Sequence, residues 1–171
     1  MGFEMASGRW TRVALYAGMT AVLTLSQSVP GVAQPALVQA AQEARQGRWG
    51  EVIALLRPFA VAGGLPGGRA SLLMGYALLK MGLPRDAAEV LAVAAQQHSL
   101  LSDFARFLEG EAWMAQGRFP QAIQSYREVV AGSPQKGLAA RASLRLGESL
   151  LRAGDPQKAV PVLTEALQAP G

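Results

Sequence analysis

At 171 residues, half of them apolar and only 16% charged, the chain has enough hydrophobic side chains to bury a core and stands far from the composition of a disordered segment. It has no cysteine and one histidine, which excludes a disulfide, a thiolate nucleophile and a lipid-modified N-terminal cysteine, and leaves no ligand set for a zinc or haem centre. Its net charge of +4 is mild, and beyond residue 33 the 14 basic and 11 acidic side chains are spread without runs. That is the pattern of solvated helix faces and not of a surface that tracks phosphates, so nucleic acid is not an expected partner.

The chain begins with Arg9 and Arg12, followed by an uncharged apolar run of 13 residues from Val13 to Leu25 and then SQSVPGVAQ. The order is that of an export signal. The run falls short of the roughly 20 apolar residues that a membrane-spanning helix needs, and Pro30 breaks the helix beyond it. A signal peptide over residues 1–33, cleaved after Ala33, is therefore expected, with an uncleaved N-terminal anchor as the alternative. Either way the rest of the chain is exported, periplasmic or held at the membrane by that segment, and once the signal is removed it is not stably inserted in a membrane.

From Pro35 to Gln46, apolar Ala36, Leu37, Ala40, Ala41 and Ala44 recur at helical spacing, and Gly47 ends the pattern. A second helix is predicted from about Gly50 to Val61, shortened or bent by Pro58, with Trp49 lying over the crossing of the pair. Gly63, Gly64, Pro66, Gly67 and Gly68 read as a loop, because glycines are entropically costly to order. Leu72, Leu73, Gly75, Tyr76, Leu79 and Met81 then define a helix closed by Gly82, and Pro84 opens its partner, where a missing N–H does no harm. The segment QQHSLLSD is a connection with His98 exposed in it, and Ser102 or Asp103 is expected to cap the next helix. Two further helix pairs follow, one over Phe104 to Pro134 and one from Leu138 to Ala169. Asp155 is a cap and Pro161 an expected bend in the last helix.

These pairs share one period. Gly47, Gly82, Gly117 and Gly154 are 35, 35 and 37 residues apart. Seven residues before each glycine stands Ala40, Gly75, Gly110 or Gly147, five after it Val52, Ala87, Ala122 or Ala159, and nine after it Leu56, Leu91, Tyr126 or Leu163. Small residues in register let two helices of a pair approach, and Gly110 and Ala122 are expected to lie against each other. A fixed period of this length is the signature of a solenoid. GRFPQAIQSYREVVAGSP and GDPQKAVPVLTEALQAP resemble the second halves of tetratricopeptide repeats, and LEGEAWMAQG and LRLGESLLRAG the first halves. The resemblance implies an all-α, right-handed solenoid of about four antiparallel helix-turn-helix repeats, over about residues 34–67, 68–102, 103–137 and 138–171.

From His98 to Pro134 the chain also resembles the N-terminal helical superhelix of soluble lytic murein transglycosylases, and its terminal repeats are similar to those of the periplasmic repeat protein of the Tol-Pal system. In the transglycosylases the catalytic acid is a Glu followed by Ser in a separate lysozyme-like domain. Glu148 and Ser149 spell that pair here on a helix of the fourth repeat, without the surrounding lysozyme-like sequence, so the role is not carried over. Glu109 and Glu111 point about 200° apart around their helix and cannot converge on one bond. With no nucleophile elbow, no phosphate-cradling motif and one histidine, no catalytic residue, cofactor or metal is expected.

The resemblance to tetratricopeptide repeats implies instead a non-catalytic protein–protein interaction scaffold of the cell envelope, holding a protein or peptide partner, such as a component of the cell-wall machinery, in the concave wall made by the first helices. The alternative is the superhelical portion of a lytic transglycosylase whose catalytic domain lies elsewhere. Groove positions implied by the family are Arg69, Tyr76 and Lys80 from repeat two, Phe107, Glu111 and Met114 from repeat three, and Arg141, Glu148, Leu151 and Arg152 from repeat four. Leu72, Phe104 and Leu144 share those helices and are assigned to packing between repeats.

Overall fold

The computed structural model describes residues 33–61, 64–97 and 101–168. Among them there are eight helices and no strand: α1 (Ala33–Arg45), α2 (Trp49–Val61), α3 (Gly64–Lys80), α4 (Pro84–Gln96), α5 (Ser102–Ala115), α6 (Phe119–Gly132), α7 (Lys136–Arg152) and α8 (Pro156–Gln168). Each helix packs on the one before it and the one after it, so the four pairs form a solenoid in which a repeat touches only its neighbours. The expected export signal over residues 1–33 lies outside the described residues except for Ala33, as does His98. No helix of the described residues is long and apolar enough to cross a membrane.

The same turn closes the first helix of every repeat. The N–H of Gly47, Gly82, Gly117 or Gly154 donates to the carbonyl three residues back at 3.0–3.1 Å, and the following N–H donates to the carbonyl five back at 2.9–3.0 Å. This double bond pattern needs a left-handed residue at the glycine, and the four have φ of 70–81°. Gly117→Ala is therefore expected to cost about 1–2 kcal/mol from backbone strain alone, because nothing lies within 4 Å of where its Cβ would stand. Thermal unfolding measures it, and an unchanged midpoint would show that the turn tolerates an L side chain.

After the last three turns the second helix begins on a proline or one residue before it, and Asp155 caps α8 by accepting a hydrogen bond from the Lys158 N–H at 3.2 Å. The expected cap at Ser102 or Asp103 is absent: α5 starts at Ser102 with Leu101 in the cap position and no side-chain bond. Leu101 is 8% exposed and packs into the core, so burial of an apolar side chain holds that helix end in place of a polar cap. The expected loop at Gly63–Gly68 is also corrected, since α3 starts at Gly64. A Cβ on Gly67 would stand 3.2 Å from the Phe59 carbonyl oxygen, and one on Gly68 would stand 2.7 Å from Oε1 of Gln97. These glycines serve close approach of α3 to its neighbours, and Pro66 is tolerated because it falls in the first turn. Pro58 and Pro161 lie inside helices that run on past them.

The crossing within a repeat differs from the expected one. At Gly110 the nearest atoms to an added Cβ belong to the Tyr126 ring, at 2.6–2.9 Å, and not to Ala122. Gly75 meets Leu91 and Gly147 meets Leu163 in the same manner, at 2.4–2.5 Å. Each glycine is a hole for the large residue 16 positions later, and Ala122 is fully buried in the same core. Leu56, Leu91 and Tyr126 are 0% exposed at this repeated place. One apolar cluster spans repeat one and the near face of α3, a second spans repeats two to four, and Ile53 packs against both.

Candidate functional site

First helices of successive repeats approach one another, α1 to α3, α3 to α5 and α5 to α7, whereas the second helices spread apart. The first helices therefore line the inner wall. Between repeats three and four that wall is a ladder of three cross-repeat contacts. The Arg141 guanidinium lies over the Phe107 ring at 5.0 Å, Nη2 of Arg145 meets Oε2 of Glu111 at 2.7 Å, and the Ser149 hydroxyl, which donates to the Arg145 carbonyl at 2.7 Å, rests 3.1 Å from the Met114 sulfur. Helical spacing makes the ladder possible, since Phe107, Glu111 and Met114 share one face of α5 and Arg141, Arg145 and Ser149 one face of α7.

Charge in the ladder is mostly satisfied from within. Tyr126 of α6 reaches through the pair and donates its hydroxyl to Oε1 of Glu111 at 2.6 Å; burial and the adjacent carboxylate both hold its pKa far above the usual phenol value. Arg145 also binds Glu148 at 2.8 Å, and Glu148 in turn binds Arg152 at 3.4 Å. Burial acts to lower the Arg145 pKa, but Glu111, Glu148 and Tyr126 outweigh it and the net shift is upward. Arg141 is the exception. It makes no hydrogen bond or ion pair among the described residues, and burial, reinforced by Arg145 and opposed by Glu111, lowers its pKa.

A second, smaller cluster sits between repeats one and two. Tyr76 packs edge-on to Trp49 with ring centroids 5.7 Å apart, and Nζ of Lys80 lies 5.4 Å from the Tyr76 ring centre. The Tyr76 hydroxyl has no hydrogen-bond partner among the described residues, and burial raises its pKa.

Two family profiles, each described as tetratricopeptide repeat, match residues 72–137 and 114–170, so that together they run from the second repeat to the end of the fourth. The chain belongs to the tetratricopeptide repeat family. Two solved structures with the same fold, described as the crystal structure of MamA and of MamA protein, each share 18% sequence identity with it at a TM-score of 0.70. The first similarity covers 98% of this chain and 95% of that one, the second 94% and 85%. No curated protein matches. Members of the family are typically non-catalytic scaffolds that bind protein partners.

Measured against this tetratricopeptide frame, the sequence-derived groove positions divide. Lys80, Leu151 and Arg152 are exposed, and Tyr76, Glu111, Met114, Arg141 and Glu148 are partly so. Arg69 and Phe107 are buried, at 8% and 3% exposure, and have little surface to offer a partner. Leu72 is buried and Phe104 packs against the core as expected, but Leu144 is 42% exposed, because no following helix pair among the described residues covers it. The residue missed was Arg145, the centre of the ladder. Its signal was present in the period: it stands one repeat, less three residues, beyond Glu111 and three residues before Glu148. Glu109, buried at 7%, is a structural carboxylate on a different face of α5, bonded to Arg106 at 2.9 Å and Trp113 at 3.4 Å. Arg106 also pairs with Glu128 of α6.

Proposed function

We propose that this chain is a non-catalytic scaffold of the bacterial cell envelope that holds an extended segment of a protein partner against its inner wall, with an acidic group of that segment on Arg141. The observation that carries the reading is the state of Arg141. A guanidinium taken partly out of water favours an anionic partner, and among the charged groups of the ladder this one is left without an ion pair. Its plane is held by Phe107, so the donors are preorganised, which lowers the ordering cost of binding. The partly exposed Met114 lies on the same wall, and the Tyr76 and Lys80 cluster supplies a second contact two repeats away. Support for the envelope is the sequence pattern of residues 1–33, two arginines, an apolar run and then Pro30 and small residues, which is that expected of an export signal.

The test captures partners from envelope extract on the wild-type chain and on Arg141→Met, then measures the captured partner's acidic segment against both by fluorescence anisotropy. Binding is expected to weaken about tenfold in the variant, close to 1.4 kcal/mol, and to weaken further with added salt. Equal affinity for the two proteins would remove Arg141 from the interface. A fusion of residues 1–33 to a reporter that is active only outside the cytoplasm tests the location.

A further inference from the structure

The face of repeat three that holds repeat four recurs on repeat four, where no described residue covers it. On α5 that face is Phe107, Glu111 and Met114, each in contact with α7. The period of 37 residues maps these onto Leu144, Glu148 and Leu151 of α7. Leu37, Leu72 and Phe107, the three upstream occupants of the Leu144 position, are 4%, 2% and 3% exposed, whereas Leu144 is 42% exposed. Leu151 is 48% exposed beside it, and Val160 on α8 is 61% exposed. The inter-repeat interface thus continues to the outer side of α7 and α8.

The opposite end of the solenoid carries the matching half. α7 meets α5 through Arg145 and Ser149, and the residues at the same register, Leu108 and Ala112 on α5 and Leu73 and Ala77 on α3, are buried. The same register places Val38 and Gln42 at these positions on α1. Leu73 is 4% and Leu108 7% exposed, but Val38 is 38% exposed and Gln42 is exposed too. An incoming α1 would set its Val38 where Arg145 sits in the existing ladder, against the flank of Glu148 and between Leu144 and Leu151. Glu148 is already neutralised by Arg145 and Arg152, so it does not oppose an apolar neighbour with an unpaired charge.

We propose that the occupant of the α7–α8 face is α1 of a second copy of this chain, stacked head to tail so that repeat four of one copy continues into repeat one of the next. The contact is heterologous: the surface given by one copy differs from the surface received by its neighbour, so growth is open-ended. The mixed character of the α1 stripe, one valine beside one glutamine, makes the association concentration-dependent and not permanent.

Sedimentation velocity of the mature chain, with the expected signal over residues 1–33 removed, tests this across a wide concentration range with two surface variants, Val38→Glu at one end and Leu144→Glu at the other. Both sites are over a third exposed, so unchanged far-ultraviolet circular dichroism and thermal midpoint are expected and separate loss of association from loss of fold. The wild-type chain is expected to run as a series of multiples of its single-chain mass, and each variant alone as the single chain. An equimolar mixture of the two variants is expected to form a dimer and nothing larger, because the intact α7–α8 face of the Val38→Glu copy can receive the intact α1 of the Leu144→Glu copy. Three results would overturn the proposal: a wild-type chain that stays single at every concentration, a Val38→Glu variant that still pairs through a two-fold contact, or a mixture that stays unassociated.

Discussion

Replacing Tyr126 with alanine is expected to lower the stability of the chain by about 3–5 kcal/mol. The ring is 0% exposed, fills the hole left by Gly110 and touches the Phe107 ring with centroids 5.7 Å apart. Truncation leaves a cavity that cannot collapse, because its opposite wall is helix backbone at Gly110, which has no side chain to lean inward. It also removes the hydroxyl that Glu111 accepts at 2.6 Å, so the ladder to Arg145 loses one of its fixed points. Tyr126→Phe separates the two contributions: the ring is kept, and about 1.5–3 kcal/mol is expected from the lost bond to a charged acceptor. Chemical denaturation of the wild-type and both variants gives the comparison. A Tyr126→Ala protein within 1 kcal/mol or so of wild type would show that the crossing of repeat three does not depend on the ring.

The second large effect is expected at the equivalent crossing of repeat two. Leu91→Ala should cost about 2–5 kcal/mol, toward the upper end because the facing residue is Gly75 and the site has little means of filling the space. The added Cβ of Gly75→Ala would stand 2.5 Å from the Leu91 side chain, so that substitution alone overpacks a well-filled contact and is destabilising by about 1–3 kcal/mol. Combined, the two changes relieve each other, since the new methyl group enters the space vacated by the leucine, and alanine is the better helix former by about 1 kcal/mol. The double variant is therefore expected to be more stable than the sum of the single effects predicts, with a coupling of about 0.5–3 kcal/mol. Strict additivity in denaturant titrations would mean that Gly75 and Leu91 do not share one packing site.

Much of this architecture is legible in the sequence for reasons that are local. A glycine at each turn is demanded by a positive φ, which L side chains avoid, so Gly47, Gly82, Gly117 and Gly154 mark four helix ends without reference to anything distant. Helical periodicity marks the helices between them, and prolines near the starts of α4, α6 and α8 agree with it. The glycines at Gly64, Gly67 and Gly68 misled the reading, because the same residue type serves both to loosen a loop and to let backbones approach. Only the neighbours, here Phe59 and Gln97, distinguish the two uses.

The partner of each small residue was likewise beyond a local reading. Period alone aligned Gly110, Ala122 and Tyr126 in one repeat, but whether the glycine faces the alanine or the large ring depends on how far one helix slides past the other, which is decided by the packing of both against the next repeat. The candidate site follows the same division. Its residues were placed on the inner wall by register, whereas Arg145 as the hub and Arg141 stacked on Phe107 without an ion pair come from contacts between side chains more than 30 residues apart, and the burial of Arg69 and Phe107 is a property of the packed repeats. By itself the sequence determined the repeat, its period, its turns and the absence of cysteine chemistry, since each rests on backbone preference or residue type. The tertiary structure decided which charges satisfy one another and which apolar positions remain open at the ends, because both depend on where the stacked repeats bring distant side chains together or leave them uncovered.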